Sequence, residues 1–360
     1  MELPTPTKAD YRSRMAGLLL GLAVGDALGL PYEGLSRRRS MKMLGPPDRY
    51  RFFFGRGMVS DDTEHACMTA QSLLSSHRCP ERFSRSLAWK LRWWLAALPA
   101  GTGFATLRAT IKLWLGVPPA RSGVYSAGNG PAMRAPVIGA LLGTEADLMK
   151  RFVRSSTRLT HTDPKAERGA LVVATAAAAA VRVGDGKLDP VQLVRALRTN
   201  TGDGDLDLLL EHVTSALAMS LSLQEFTDSL GLEEGVSGYV YHTVSVALYA
   251  FLRNLGDFDK TVREVVSLGG DADSTGAIAG ALAGASTGIE GISDRWLKGL
   301  TDWPRSTDWM RRLAARMADF DSECFSPGPE PFPWPAVVPR NLFFLTVVLF
   351  HGFRRLLPPY

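Results

Sequence analysis

Ser60-Asp61-Asp62-Thr63-Glu64 and Gly269-Gly270-Asp271-Ala272-Asp273-Ser274-Thr275 each bring two aspartates and a hydroxyl into one turn, ahead of an apolar stretch rich in small residues. Carboxylates at that density repel one another unless a cation lies between them. Oxygen donors without Cys or His at ligand spacing favour a hard divalent ion, Mg²⁺ or Mn²⁺, over zinc. An aspartate at a helix N-cap is common and contributes about 1 kcal/mol by accepting from exposed N–H groups. That explains one aspartate per turn. A second gains little from the same cap, and a helix N-terminus offsets only part of the gathered charge. A doubled pattern found twice therefore predicts a metal site where the two turns meet.

Helices must position these turns. Apolar residues recur at three- and four-residue spacing over Lys8–Leu28, Glu64–Ser76, Glu81–Leu98, Phe104–Leu115, Pro131–Leu142 and Glu145–Leu159. The pattern continues over Pro164–Val183, Pro190–Asn200, Leu206–Ser222, Gly238–Leu255, Lys260–Ser267, Thr275–Gly288 and Asp308–Asp321. Asp163-Pro164 and Asp189-Pro190 set a proline at the first helical position behind an aspartate cap. Period-two alternation is not sustained anywhere, so the expected class is all-α. Ala174–Ala180 and Gly276–Gly288 are dominated by small residues, which let helices approach closely, and a single compact domain with a small-residue core follows. Residues 1–325 are expected to form that domain. Residues 326–360 would add a proline-rich strap, Ser326–Pro339, and an apolar C-terminal helix packed on it.

The chain has 360 residues, 46% of them hydrophobic and 21% charged, a globular balance with room for a large core. A net charge of +5 favours anionic partners in general. No basic stripe interleaved with aromatics marks a nucleic-acid surface, and the run Arg37-Arg38-Arg39 reads as a solvated loop. Cys67, Cys79 and Cys324 lack metal-ligand spacing, which fits a reducing compartment and a cytoplasmic location. Met1–Asp10 contains no signal-peptide core. No transmembrane span is expected: Met15–Leu30 is interrupted by four glycines and Asp26, and Leu342–Phe350 falls short of the ~20 residues a span needs. A monomer is the default.

Gly17–Gly29 (GLLLGLAVGDALG), Ser60–Thr63 (SDDT), Gly128–Arg134 (GNGPAMR) and Gly269–Ser274 (GGDADS) follow one another along the chain. These four segments in order resemble the ADP-ribosylglycohydrolase family, the group of dinitrogenase-reductase-activating glycohydrolase and the ADP-ribosyl-acceptor hydrolases, and the likeness runs from Met15 to about Gly291. The resemblance implies a binuclear site, two Mg²⁺ or Mn²⁺, with Ser60, Asp61, Asp62, Asp271, Asp273 and Ser274 as ligands. Serine stands at positions 60 and 274 where the family usually has threonine, which keeps the hydroxyl and loses a methyl group. Glu33 matches a glutamate that in parts of the family lies over the metals, although a lone loop glutamate is ordinarily just solvated. Gly128, Asn129, Gly130, Met133 and His161 match substrate-contacting positions. By sequence alone the Gly-Asn-Gly turn suits a phosphate or a left-handed tight turn equally well. Asp26, embedded in an apolar helix, needs hydrogen bonds to be tolerated and reads as structural. His65 reads as packing.

The implied activity is hydrolysis of the N- or O-glycosidic bond of ADP-ribose on a protein side chain or small acceptor. Metals would hold the ribose hydroxyls and orient a water, while Asp61, Asp62 or Glu33 takes its proton. The same carboxylates would serve a two-metal phosphoester or pyrophosphate hydrolase. A non-catalytic ADP-ribose binder or structural relative is a third reading, opposed by the presence of all four aspartates. Acceptor linkage and the identity of the general base are not legible in the sequence.

Overall fold

In a computed structural model the chain is described over residues 6–184, 188–199, 201–320 and 326–357. The helices of the first half are α1 (Lys8–Gly29), α2 (Arg37–Leu44), α3 (Asp61–Leu74), α4 (Pro80–Ala96), α5 (Phe104–Trp114), α6 (Gly130–Met133), α7 (Ala135–Leu142), α8 (Ala146–Arg158) and α9 (Pro164–Val183). The second half contains α10 (Pro190–Arg198), α11 (Gly204–Ala218), α12 (Leu223–Ser229), α13 (Val240–Arg253), α14 (Phe258–Ser267), α15 (Ala272–Thr287), α16 (Asp294–Gly299), α17 (Thr307–Ala318) and α18 (Val337–Arg354). Among the described residues there is no β-strand, only isolated bridges between loops.

The centre is an antiparallel pair, α1 against α15, with more contact between them than between any other two elements. Its cause is a stripe of small residues. A Cβ on Gly17, Gly21, Gly25 or Gly29 would stand 2.1, 2.3, 2.0 and 2.3 Å from the carbonyl oxygens of Gly284, Gly280, Gly276 and Ala272 respectively. Backbone therefore lies on backbone, and no side chain fits between. Because the pair is antiparallel, the C-terminal end of α1 meets the N-terminal end of α15. That register places Asp26 and Glu33 beside Asp271 and Asp273. Helices α9, α13 and α14 surround α15, and α3 and α17 cover α1. One continuous apolar core results, with a smaller cluster of Leu30, Phe52, Met58, Phe344 and Val347 beneath α18.

Several expectations change in detail. The arginine run is not a solvated loop: it opens α2 behind the Ser36 cap, and Arg37 pairs with Asp228 at 2.7 Å while also bonding Thr227 and the Leu232 carbonyl. The helix expected over Pro131–Leu142 is divided at Arg134, because Pro136 has no N–H to bond back to Ala132. Helices α3 and α15 begin three residues before their expected starts, so the aspartates sit within the first turns instead of preceding them. Helices α2, α12 and α16 were not expected. Cys324 and the ends of two expected helices, Asn200 and Asp321, lie outside the described residues.

The apolar C-terminal helix is longer than its most apolar stretch. Trp334–Arg354 forms a 21-residue unit that is long and apolar enough to cross a membrane by length and composition, and 28% of its apolar window is buried. Helix α1 passes the same test, yet 94% of its apolar window is buried in the core. Its glycines do not interrupt the helix, as expected from sequence; they dock it.

Candidate metal and substrate site

Asp26 organises the first acidic turn from a distance. It is fully buried on α1, and its two carboxylate oxygens accept from the Ser60 N–H at 3.0 and 2.9 Å. Oδ2 also accepts from the Thr63 N–H at 3.1 Å and the Thr63 hydroxyl at 2.5 Å. A neighbouring helix thus supplies a carboxylate cap for α3, in addition to Ser60 Oγ, which accepts from the Asp62 N–H at 3.3 Å. With both caps present, Asp61 and Asp62 are not needed to terminate the helix. Burial raises the Asp26 pKa to about 6 against the lowering effect of these bonds.

Behind the turn, Asp302 Oδ2 accepts from the Val59 N–H at 3.1 Å, and Arg340 Nη2 donates to the Val59 carbonyl at 2.5 Å. Arg340 and Asp302 pair at 2.6 Å, and Arg305 pairs with Glu64 at 2.5 Å, all four side chains being almost wholly buried. Trp94 Nε1 donates to the other oxygen of Glu64 at 2.6 Å. Glu64 therefore belongs to the scaffold beneath the acidic turn.

The second turn depends on Gly269 and Gly270, at φ of 69° and 74°. A Cβ at these positions would also lie 2.5 Å from the Leu35 carbonyl oxygen and 2.1 Å from that of Val236. Only glycine satisfies both the left-handed backbone and the crowding. The loop is tied down by Gly270 N–H to the Leu35 carbonyl at 2.8 Å and Asp271 N–H to the Val236 carbonyl at 2.7 Å. Asp271 holds the N-cap position of α15 without capping it, and its carboxylate instead accepts from Asn129 Nδ2.

The two turns meet. Ser274 Oγ donates to Asp62 Oδ2 at 3.2 Å across 212 residues of sequence. Asp62 Oδ1 is buried and has no hydrogen-bond partner. Glu33, Asp61, Asp62, Asp271, Asp273 and Ser274 all line one cavity of about 310 Å³, together with Gly128, Asn129, Gly130, Met133 and His161. Ser60 lines a smaller adjoining cavity that shares Glu33, Asp61 and Asp273. Every residue singled out for the site is thus gathered at one place.

The electrostatics of this gathering are unfavourable without a counter-charge. Burial and then Asp61, Asp26 and Asp271 drive the Asp62 pKa far up. Burial and then Asp26, Glu33 and Glu64 do the same to Asp61, and burial with Glu33, Asp62 and Asp271 to Asp273. Asp271 is raised by burial against its bond from Asn129, and Glu33 reaches about 7 through burial and the Asp271 charge. An orphaned buried carboxylate oxygen among mutually repelling carboxylates and two serine hydroxyls is a donor set of the hard-cation type. Among the described residues, no three His, Cys, Asp or Glu side chains converge as a preformed cage for one ion. The donors are spread between the two turns.

Opposite the aspartates, the Gly-Asn-Gly turn is neither left-handed nor an open nest of donors. Asn129 has φ of −83°, its N–H bonds the Gly238 carbonyl at 3.2 Å, and the Gly128 N–H bonds Ser126 Oγ at 3.3 Å. The glycines are explained by His161: a Cβ on Gly128 or Gly130 would stand 3.1 or 3.0 Å from its ring. Asn129 Nδ2 reaches both Thr243 and Asp271, so this turn positions the Asp271 carboxylate.

His161 is fixed by a buried chain that sequence reasoning missed. Arg134, fully buried, donates to Ser156 Oγ at 2.9 Å, the Ser156 carbonyl at 2.7 Å and Thr160 Oγ1 at 2.7 Å. Thr160 Oγ1 lies 2.9 Å from His161 Nδ1. The Thr160 hydroxyl thus joins Arg134 to one edge of the ring, and Nε2 on the other edge faces the glycine turn. Burial and then the Arg134 charge lower the His161 pKa to about 3, so the ring is neutral. His65, expected to pack, is fully buried between Arg134 and the Trp94 ring.

Residues 7–325 match the ADP-ribosylglycohydrolase family. A solved chain from an ADP-ribosylglycohydrolase-related protein complex shares the fold with a TM-score of 0.61 and 31% identity, over 86% of this chain and 98% of that one. An uncharacterized protein of Archaeoglobus fulgidus is 34% identical over 83% of this chain and 94% of its own. The dinitrogen-reductase ADP-ribosyl glycohydrolase of Rhodospirillum rubrum is 28% identical over 82% of this chain and 92% of its own. The class is that of ADP-ribosyl glycohydrolases, which are enzymes. The chain belongs to the ADP-ribosylglycohydrolase family.

Proposed function

We propose that this enzyme hydrolyses the glycosidic bond between ADP-ribose and an acceptor on a protein or small molecule, with two divalent cations, Mg²⁺ or Mn²⁺, as cofactors. The observation that carries the reading is the meeting of two aspartate turns around the unpartnered Asp62 Oδ1. Ser60, Asp61 and Asp62 from one turn, and Asp271, Asp273 and Ser274 from the other, would hold the cations. When bound, these would offset the carboxylate charge, anchor the ribose hydroxyls and acidify a water.

The chain's own groups supply the rest. The His161 ring and the glycine turn form the wall against which the nucleotide half would lie. Asn129 orients Asp271. In the hydrolysis, a water oxygen bonds the anomeric carbon as the bond to the acceptor breaks. One water proton passes to a carboxylate and the departing acceptor atom gains a proton. Asp61, Asp62 and Glu33 are the candidate proton acceptors. Glu33 belongs to neither turn, which leaves it free of the ligand set, and its negative charge favours an oxocarbenium-like transition state.

The test is release of ADP-ribose from ADP-ribosylated protein with added Mg²⁺ or Mn²⁺, with chelator, and with Asp61→Asn and Asp271→Asn. Release that chelation and both substitutions abolish is expected. Release indifferent to all three would overturn the metal-dependent reading, and phosphate or AMP as product would establish a phosphoester or pyrophosphate hydrolase instead.

A further inference from the structure

The aspartates stand between two cavities, and the smaller one has a wall that lies outside the family match. It measures about 110 Å³ and shares Glu33, Asp61 and Asp273 with the larger cavity. Its far side is made by Phe344, Val348, His351 and Arg355, from α18 and the residue after it, whereas the family match ends at residue 325. The wall is firmly built. Arg340 anchors α18 to Asp302 and to the Val59 carbonyl, and Asn341 donates to the Ala97 carbonyl at 2.9 Å. His351 stacks on Phe52 with ring centroids 5.0 Å apart.

Arg355 is the single cation lining either cavity among the described residues. Its Nη2 donates to the Pro31 carbonyl at 2.9 Å, and its own carbonyl accepts from Arg39. Among the described residues it has no carboxylate within 4.0 Å, so the guanidinium keeps donors for a ligand. It is near enough to Glu33 for its charge to oppose the rise of that pKa. Arg38 and Arg354, both exposed, belong to the two segments that join here.

We propose that the smaller cavity is the acceptor subsite, and that Arg355 makes it favour acceptor segments carrying a carboxylate beside the modified residue. The inference rests on the hydrolase reading above. The larger cavity is the one with room for the nucleotide half. The bond to be cut must lie over the carboxylates that both cavities share, so the departing acceptor projects past Glu33 toward α18. There it meets one fixed guanidinium between apolar side chains. A carboxylate gains a charge-assisted hydrogen bond at that position, and a basic side chain is repelled.

Four synthetic peptides test this: ADP-ribose linked to serine or to arginine, each with aspartate or arginine flanking the modified residue. Initial rates give the aspartate-to-arginine ratio of kcat/KM within whichever linkage is cleaved, and calorimetry gives the affinity for free ADP-ribose. In the wild type the ratio is tenfold or more. Arg355→Lys retains most of it, Arg355→Gln brings it near one, and Arg355→Glu inverts it. ADP-ribose affinity stays within about twofold throughout. A ratio unchanged in Arg355→Gln and Arg355→Glu overturns the proposal. So does a loss of ADP-ribose affinity equal to the loss of rate, because Arg355 would then serve the nucleotide half. If the wild type releases ADP-ribose from none of the peptides, the protein-acceptor part of the hydrolase reading falls, and this inference with it.

Discussion

Gly25→Ala puts the backbone-on-backbone packing of α1 and α15 to a quantitative test. The added Cβ would stand 2.0 Å from the Gly276 carbonyl oxygen and 2.5 Å from its carbon, where contacts under 3.0 Å are essentially never found. The obstruction is main chain, so no rotamer change relieves it and the helices must part by about 1 Å at that level. A gap of that size forfeits roughly a quarter to a half of each dispersion contact it opens. Overpacking of this kind costs about 1–3 kcal/mol, and a rigid obstruction belongs at the upper end. Alanine returns about 1 kcal/mol of helix propensity. A net loss of about 2 kcal/mol is expected by urea unfolding. Activity should fall further than stability, because Asp26 is the next residue and carries the Ser60–Thr63 turn with it. Gly204→Ala is the control: that glycine is also helical, as the first residue of α11, and a Cβ there meets nothing within 4 Å. If Gly25→Ala is as stable as Gly204→Ala, the close approach does not hold the pair together.

Glu33 links metal-free stability to pH. Its folded pKa of about 7 exceeds the unfolded value of 4.5, so the folded state binds the proton more tightly. The wild type should therefore lose stability relative to Glu33→Gln as pH rises from 4.5 through 7, and thermal melts without metal should show that sign. A wild type that gains relative to the variant over that window refutes the placement of Glu33. Asp273→Asn removes one of the repelling carboxylates: melts should show a more stable metal-free protein, and calorimetry a Mg²⁺ affinity at least tenfold weaker. Arg340→Met strands the buried Asp302 without its cation and should cost about 3–5 kcal/mol by denaturant unfolding. Arg340→Met with Asp302→Asn should be less damaging than Arg340→Met alone; equal or greater damage would show that the ion pair is not the source of the loss.

The helical class and most helix positions were legible because the apolar spacing is strong, and Pro164–Val183 has its expected bounds. The acidic turns were legible because repeated aspartates are hard to explain by capping. What escaped was whatever depends on partners remote in sequence. Asp26 was recognisable as a carboxylate in need of bonds, but nothing local said that they come from Ser60 and Thr63. The arginine run looked solvated because its partners, Asp228 and Thr227, lie on α12, a helix too short for its period to show. The Gly-Asn-Gly turn suited a phosphate or a left-handed turn equally well by sequence, whereas its glycines make room for a ring from another loop. Arg134 closes the Gly128–Arg134 segment and Arg340 belongs to no motif, and only the fold reveals that one orients His161 while the other holds Val59.

The pairing of α1 with α15 also sets a timetable for making the protein. Gly29 meets Ala272, so about 240 residues must be synthesised before the first helix finds its partner. At roughly 5–20 residues per second that is an interval of about 12–50 s. For that time an apolar 22-residue helix leaves the ribosome with its docking face uncovered. The feature that gives the finished enzyme its tightest seam thus gives the growing chain its longest exposure, and it makes that chain a natural client for chaperones.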